Sequence, residues 1–152
     1  MKIYVDADAC PVKETIIQTA KEEDLSVILV KSFSHFSNEK TPKHVKTVYV
    51  DTGKDVADFQ IIKSAQKNDI VITQDHGLAS LCLGKGCYVL HHRGFAYTHK
   101  NIDQLLHSRH EHAKAREAGE RVSGPKSFTN EDERNFELLL KRTIQESKQL
   151  KH

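Results

Sequence analysis

Apolar residues along this chain gather in five short runs separated by polar stretches, and the runs are nearly unbroken rather than alternating. Residues 2–5 (KIYV), 26–30 (SVILV), 47–50 (TVYV), 69–73 (DIVIT) and 87–90 (CYVL) are rich in β-branched and aromatic side chains, the composition of strands. A strand with one wet face alternates apolar and polar positions, whereas continuous hydrophobicity marks a strand covered on both faces and favours a parallel sheet. The segments between the runs carry a helical period. Pro11 suits a first helical turn, and Val12, Ile16, Ile17 and Ala20 follow at helical spacing. Between residues 55 and 67, Val56, Phe59, Ile61, Ile62 and Ala65 form a second stripe, and residues 78–83 a short third helix before Gly84. The repeated βα pattern predicts a three-layer α/β fold with a mostly parallel, five-stranded sheet flanked by helices. Residues 32–46 have no clean period and read as an irregular crossover.

Past the fifth run, Ile102, Leu105 and Leu106 begin a helix that turns polar from about His107. Phe136, Leu139, Leu140 and Ile144 mark a last amphipathic helix. Its start carries Thr129 and Asp132 at the spacing of a capping box. The expected organisation is a single domain over 1–152, with an α/β core at 1–98 and a C-terminal helical extension at 99–152.

At 152 residues the chain is long enough for one core and short for two. Its 38% hydrophobic and 29% charged content, with 23 basic against 21 acidic residues, excludes a disordered or membrane class. No apolar run approaches the ~20 residues that cross a bilayer, and Met1 leads directly into a strand, so a cytoplasmic protein is expected. Cys10, Cys82 and Cys87 are odd in number and lack C-x-x-C spacing, which argues against a disulfide framework or a structural zinc site. Residues 91–126 hold seven Lys or Arg against four acids and add six histidines, a stretch suited to facing an anion.

The most informative string is VDADACPVK at 5–13, which sets Asp6 and Asp8 at the carboxyl end of the first strand, where open α/β sheets bind ligands. Asp75, in VITQDHGLA, holds the equivalent place after the fourth strand. Asp55 and Asp58 open the helix after the third, and Asp51 ends that strand. Carboxylates brought together repel one another and acquire raised pKa values unless a cation neutralises them. Oxygen ligands favour Mg²⁺ or Mn²⁺, and that chemistry suits phosphodiester cleavage. The competing reading is that each Asp only caps a turn or a helix.

Other side chains extend the picture. Arg93 follows the fifth strand and could clamp a phosphate, with a plain surface ion pair as the alternative. Lys13, Lys54, Lys100, Arg109, Lys114 and Arg116 could track a nucleic-acid backbone. Cys10 reads as a structural or metal-proximal thiol, since no basic partner is identifiable. His91, His92, His107, His110 and His112 match no zinc spacing and read as exposed residues of polar helices. Phe95 and Tyr97 read as core or lid packing rather than base-stacking platforms.

VDADACPVK, DVADFQIIKSAQKNDIVITQDHGLA, HRGFAYTHKNI and GPKSFTNEDERNF occur in an order that resembles the YaiI/YqxD family of bacterial proteins, which in turn look like members of the PIN-like superfamily. The resemblance implies a PIN-like domain that holds Mg²⁺ or Mn²⁺ and cleaves RNA or DNA. It implies Asp6, Asp58 and Asp75 as the metal triad, with Asp8 and Asp55 nearby. PIN-like sites often carry a Glu in the helix, where Asp55 and Asp58 compete here. The substrate-binding set expected beside them is Lys13, Lys54 and Arg93. Two other readings compete. Asp6-Ala-Asp8 also resembles the D-x-D of haloacid-dehalogenase phosphatases, with Asp6 as nucleophile and Asp8 as acid. A non-catalytic nucleic-acid-binding module would keep the scaffold alone.

Overall fold

The computed structural model describes residues 1–53, 55–120 and 127–150. The strands are β1 (Lys2–Asp6), β2 (Ser26–Ser32), β3 (Val45–Val50), β4 (Ile70–Ile72), β5 (Tyr88–His91) and β6 (Phe95–Tyr97), in sheet order β3-β2-β1-β4-β5-β6. The first five are mutually parallel, and β6 returns antiparallel on β5. The helices are α1 (Lys13–Glu22), α2 (Val56–Ser64), α3 (His76–Gly84), α4 (Ile102–Glu117) and α5 (Asn130–Leu150).

Each interior strand sends alternate side chains to opposite faces, and both faces are dry, which is why the strands read as continuous apolar runs. Ile3 and Val5 of β1 pack with Ile16 of α1 and with Phe136, Leu140 and Ile144 of α5. Tyr4 between them faces the other way, with Ile61 of α2, Leu78 and Cys82 of α3 and Ile102 of α4. The result is three layers, with α1 and α5 on one face and α2, α3 and α4 on the other. Phe136, Leu140 and Ile144 are fully buried, so α5 is part of the main core. Burying each such side chain contributes about 1.5–3 kcal/mol. Among the described residues no helix is long and apolar enough to cross a membrane.

The chain runs outward from β1 through β2 to β3, then crosses back by α2 to set β4 on the other side of β1. This reversal makes the β1/β4 boundary a topological switch point, the place where such sheets open a ligand crevice. The β2–β3 crossover contains only a short 3₁₀ turn at Phe33–His35, in line with its lack of period.

Two expectations need correction. The sheet has six strands rather than five. Phe95–Tyr97 is too short to display a period, and it joins the sheet because Gly94 turns the chain back with φ 97° and donates its amide to the His91 carbonyl at 3.0 Å. His91 and His92 are buried rather than exposed on a polar helix, ending β5 with ring centroids 4.5 Å apart. The expected capping box is present: the Thr129 amide donates to Asp132 Oδ2 and the Asp132 amide to Thr129 Oγ1, each at 3.0 Å.

The turn at Gly94 is pressed against α5. A Cβ there would lie 2.6 Å from Asn135 Cβ and 2.9 Å from the Asn135 carbonyl carbon and the Phe136 nitrogen, on top of the strain of a positive φ. Gly94→Ala is expected to lower stability by about 2–4 kcal/mol, read as a fall in the urea midpoint. A midpoint equal to wild type would show that the turn is not packed against α5 in this way.

Candidate functional site

At the switch point, β1 ends in Asp6 and β4 is followed by Thr73, Gln74 and Asp75. Thr73 is buried, and its hydroxyl links the two acids: it donates to Asp6 Oδ2 at 3.0 Å and accepts the Asp75 amide at 3.0 Å. Asp75 is also the N-cap of α3, where its Oδ1 accepts the Leu78 amide at 2.9 Å. Gly77 makes room for this cap, because a Cβ there would sit 3.2 Å from Asp75 Oδ1.

Asp58 comes from the first turn of α2, on the same sheet face as α3. Its carboxyl is pushed up to about 6, first by burial and then by the negative charges of Asp75, Asp6 and Asp55, while Arg109 opposes the shift. Asp6 is raised for the same reasons, first by burial and then by Asp75 and Asp8, with the Thr73 bond acting in the opposite direction. The acids therefore share one electrostatic field. Asp55 begins α2 in the left-handed region, φ 67°, and makes no side-chain cap bond.

Two clefts meet at this group. One of 280 Å³ is lined by Asp6, Gln74, Asp75, His76 and Arg109. The other, of 290 Å³, has Asp55, Asp58 and Asp75 with Arg109 on its polar side and Phe59, Ile62, Leu78 and Leu81 on its apolar side. Asp75 and Arg109 belong to both, with Arg109 Nη1 3.8 Å from Asp75 Oδ1. His76 leans edge-on toward Tyr97, centroids 5.7 Å apart, and its buried Nδ1 has no hydrogen-bond partner among the described residues.

Other residues singled out by sequence fall elsewhere. Asp8 turns toward β2: both of its oxygens accept the Ser32 amide, at 3.1 and 3.2 Å, and Oδ1 lies 2.9 Å from His35 Nδ1. Arg93 pairs with Asp132 of the α5 capping box at 3.2 Å, so it ties the β5–β6 turn to α5. Lys13 opens α1 and lines a cleft between that helix and the β2–β3 crossover. Asp51 is exposed after β3. Lys54 lies outside the described residues. Burial raises the Cys10 thiol to about 11.

Sequence reasoning missed Thr73, Gln74 and His76. The only signal was their position after the fourth apolar run. Among the described residues, no three His, Cys, Asp or Glu side chains already stand together as a ligand set. The donor chemistry nevertheless suits a hard divalent ion, which binds through one or two carboxylates with water completing its shell.

The fold and cleft define an α/β protein with an acidic crevice at the switch point of a mainly parallel sheet. The model of the family described as "Uncharacterized BCR, YaiI/YqxD family" matches residues 4–146, and the chain belongs to that family. A UPF0178 protein of Oceanobacillus iheyensis is 59% identical over 139 residues, covering 91% of this chain and 95% of that one. A UPF0178 protein of Bacillus anthracis is 57% identical over 144 residues, covering 95% and 99%. Among solved structures, a mutant of Rae1 (YacP) from Bacillus subtilis aligns over 97% of this chain and 99% of its own with a TM-score of 0.42 and 16% identity.

The shared field of the acids has a measurable consequence. Asp58 titrates near 6 in the folded protein and near ~4 when unfolded. Between those values the folded state binds the proton more tightly, so this group's contribution to stability falls as pH rises through the window and stays low above it. Asp58→Asn in EDTA is therefore expected to gain in urea midpoint relative to wild type on going from pH 4.5 to 7. A difference that stays constant with pH would mean that neither burial nor the other acids raise the Asp58 carboxyl.

Proposed function

We propose that this protein is a PIN-like, metal-dependent nuclease that hydrolyses phosphodiesters of RNA or DNA at the Asp6–Asp58–Asp75 cleft. The observation that carries the reading is the placing of carboxylates from β1, the β4–α3 turn and α2 on two adjoining clefts that share Asp75, where burial and then the neighbouring negative charges raise the proton affinity of Asp6 and Asp58. The part of that rise that comes from neighbouring negative charge also favours a cation.

Asp6, Asp58 and Asp75 would hold Mg²⁺ or Mn²⁺, with Asp55 at the rim. When bound, such an ion polarises the phosphoryl oxygen and lowers the pKa of attacking water. The protein's own part is positional. Thr73 fixes the Asp6 carboxylate, the α3 amide at Leu78 fixes that of Asp75, and Arg109 offers a guanidinium to a phosphate across both clefts. His76 lines the same cleft with its Nδ1 turned inward and buried.

The phosphatase reading gains less support. Its general acid would be Asp8, yet both Asp8 oxygens accept the Ser32 amide of β2 and one faces His35, and Asp8 lines neither cleft. A non-catalytic binding module would tolerate Asp6→Asn without loss of affinity.

Calorimetric titration of Mn²⁺ and Mg²⁺ at low salt is expected to give saturable binding to wild type and none to Asp6→Asn/Asp75→Asn. Cleavage of single-stranded RNA or DNA with added Mn²⁺ should fall on the order of 100-fold or more in the same variant. Metal binding by wild type without cleavage of any RNA or DNA would end the nuclease claim.

A further inference from the structure

Three aromatic rings stand together at the open edge of the sheet. Phe33 and Phe36, 55% and 59% exposed, flank Tyr49 of the edge strand β3. Their ring centroids lie 5.8 and 5.0 Å from that of Tyr49, with interplanar angles of 19° and 48°. Two phenylalanines left more than half exposed forgo the gain of burial, and grouped exposed apolar surface marks a binding site more often than scattered residues do.

The platform is preorganised. The Tyr49 hydroxyl donates to the Ser37 carbonyl at 3.3 Å and accepts the Ser37 amide at 3.4 Å. The turn that carries Phe33 is held by the Ser32 amide on Asp8 and by Ser32 Oγ, 2.7 Å from Ser34 Oγ and 3.1 Å from His35 Nδ1. Beside the rings, a 250 Å³ cleft under the β2–β3 crossover is lined by Tyr49 with Lys13, Lys31 and Lys40. Glu14 and Glu39 share its wall, leaving an excess of one positive charge.

We propose that Phe33, Phe36 and Tyr49, with Lys13, Lys31 and Lys40 alongside, form a docking platform for single-stranded nucleic acid. Unpaired bases stack on the rings, and the lysines face the phosphates. Stacking of this kind accepts any base and rejects a duplex, whose bases already stack on one another. The small charge excess makes the rings the main source of affinity and the salt dependence shallow. The turn bearing Phe33 starts from Ser32, which Asp8 holds, and Asp8 lies two residues from Asp6 at the end of the neighbouring strand. The platform is thus tied through Asp8 to the strand that carries Asp6. Only for what happens to a bound strand at the acidic cleft does the inference rest on the nuclease reading.

The test is fluorescence anisotropy of labelled oligo-U and oligo-T of about ten nucleotides with the full chain in EDTA, so that no strand is cut. Wild type is expected to bind each single strand more tightly than a duplex. Phe33→Ala/Phe36→Ala should weaken binding at least about tenfold, while Phe36→Tyr keeps it. Lys31→Gln/Lys40→Gln should weaken it less and flatten the salt dependence further. Thermal unfolding and sedimentation of the same samples establish that the variants are folded and report their oligomeric state. Equal affinity of a folded double alanine variant and wild type overturns the proposal. Conversion of a dimer to a monomer by that variant, with oligonucleotide binding unchanged, also overturns it and assigns the rings to contact between copies. Ring-dependent binding by a protein that cuts no strand keeps the platform and removes the nuclease reading, whereas metal-dependent cleavage with ring-independent binding does the reverse.

Discussion

Carboxylates held close together in a partly desolvated crevice repel one another, and the fold has to hold Asp6, Asp58 and Asp75 against that repulsion. It does so with dipoles rather than with strong ion pairs. Thr73 donates to Asp6, the first turn of α3 donates to Asp75, and Asp58 sits in the first turn of α2, where a helix dipole favours negative charge. Each of these supports depends on the sheet order. Only with β4 beside β1 does the Thr73 hydroxyl reach Asp6, and only because α2 and α3 cover the same face do their N-termini converge.

The β5–β6 turn and the start of α5 are secured differently. Asp132 receives the Thr129 amide and the Arg93 guanidinium, so one carboxylate caps α5 and clips the β5–β6 turn to it. Inside that turn His91 is held neutral: burial first, then the neighbouring His92, His76 and Arg93 charges, lower its pKa to about 4, and its Nδ1 accepts the Arg93 amide. The proton of the neutral ring therefore lies on Nε2. His91 and Asp58 respond to acid in opposite ways. The contribution of His91 to stability is lost as pH falls from ~6.5 toward 4, while that of Asp58 grows over much the same window. His91 thus resists protonation, and Asp58 invites it.

Much of this was legible in the sequence, for a physical reason. Strands buried on both faces must be apolar throughout, so five of the six announced themselves, and carboxylates directly after such runs had to emerge at the carboxyl edge of the sheet. What was not legible depends on distance in three dimensions. Phe95–Tyr97 is a strand only because Gly94 reverses the chain onto β5. Asp6 and Asp8 look equivalent in VDADACPVK, yet Asp6 meets Thr73 of β4 while Asp8 is drawn to the Ser32 amide of β2. Arg93 left a phosphate clamp and a plain ion pair both open because the acid it meets, Asp132, lies 39 residues away. Thr73 shows only its place at the end of the fourth run, and a threonine ending a strand is ordinary until the Asp6 carboxylate and the Asp75 amide are found on its hydroxyl.

Arg109 marks the difference between a closed ionic network and an adaptable one. At 3.8 Å from Asp75 and 60% exposed, it makes a loose surface pair of the kind that contributes about 0–1 kcal/mol. Displacing it therefore costs little. The bonds that fix Asp6 and Asp75, from Thr73 and from the α3 amide, each engage one carboxylate oxygen and leave the other oxygen of each acid without a direct hydrogen bond to the described residues. The acids are thus oriented without being saturated, and the positive group nearest to them is the one most easily moved. A crevice built this way exchanges its counter-charge at low cost, as a site that must admit a cation and an anionic substrate in turn requires.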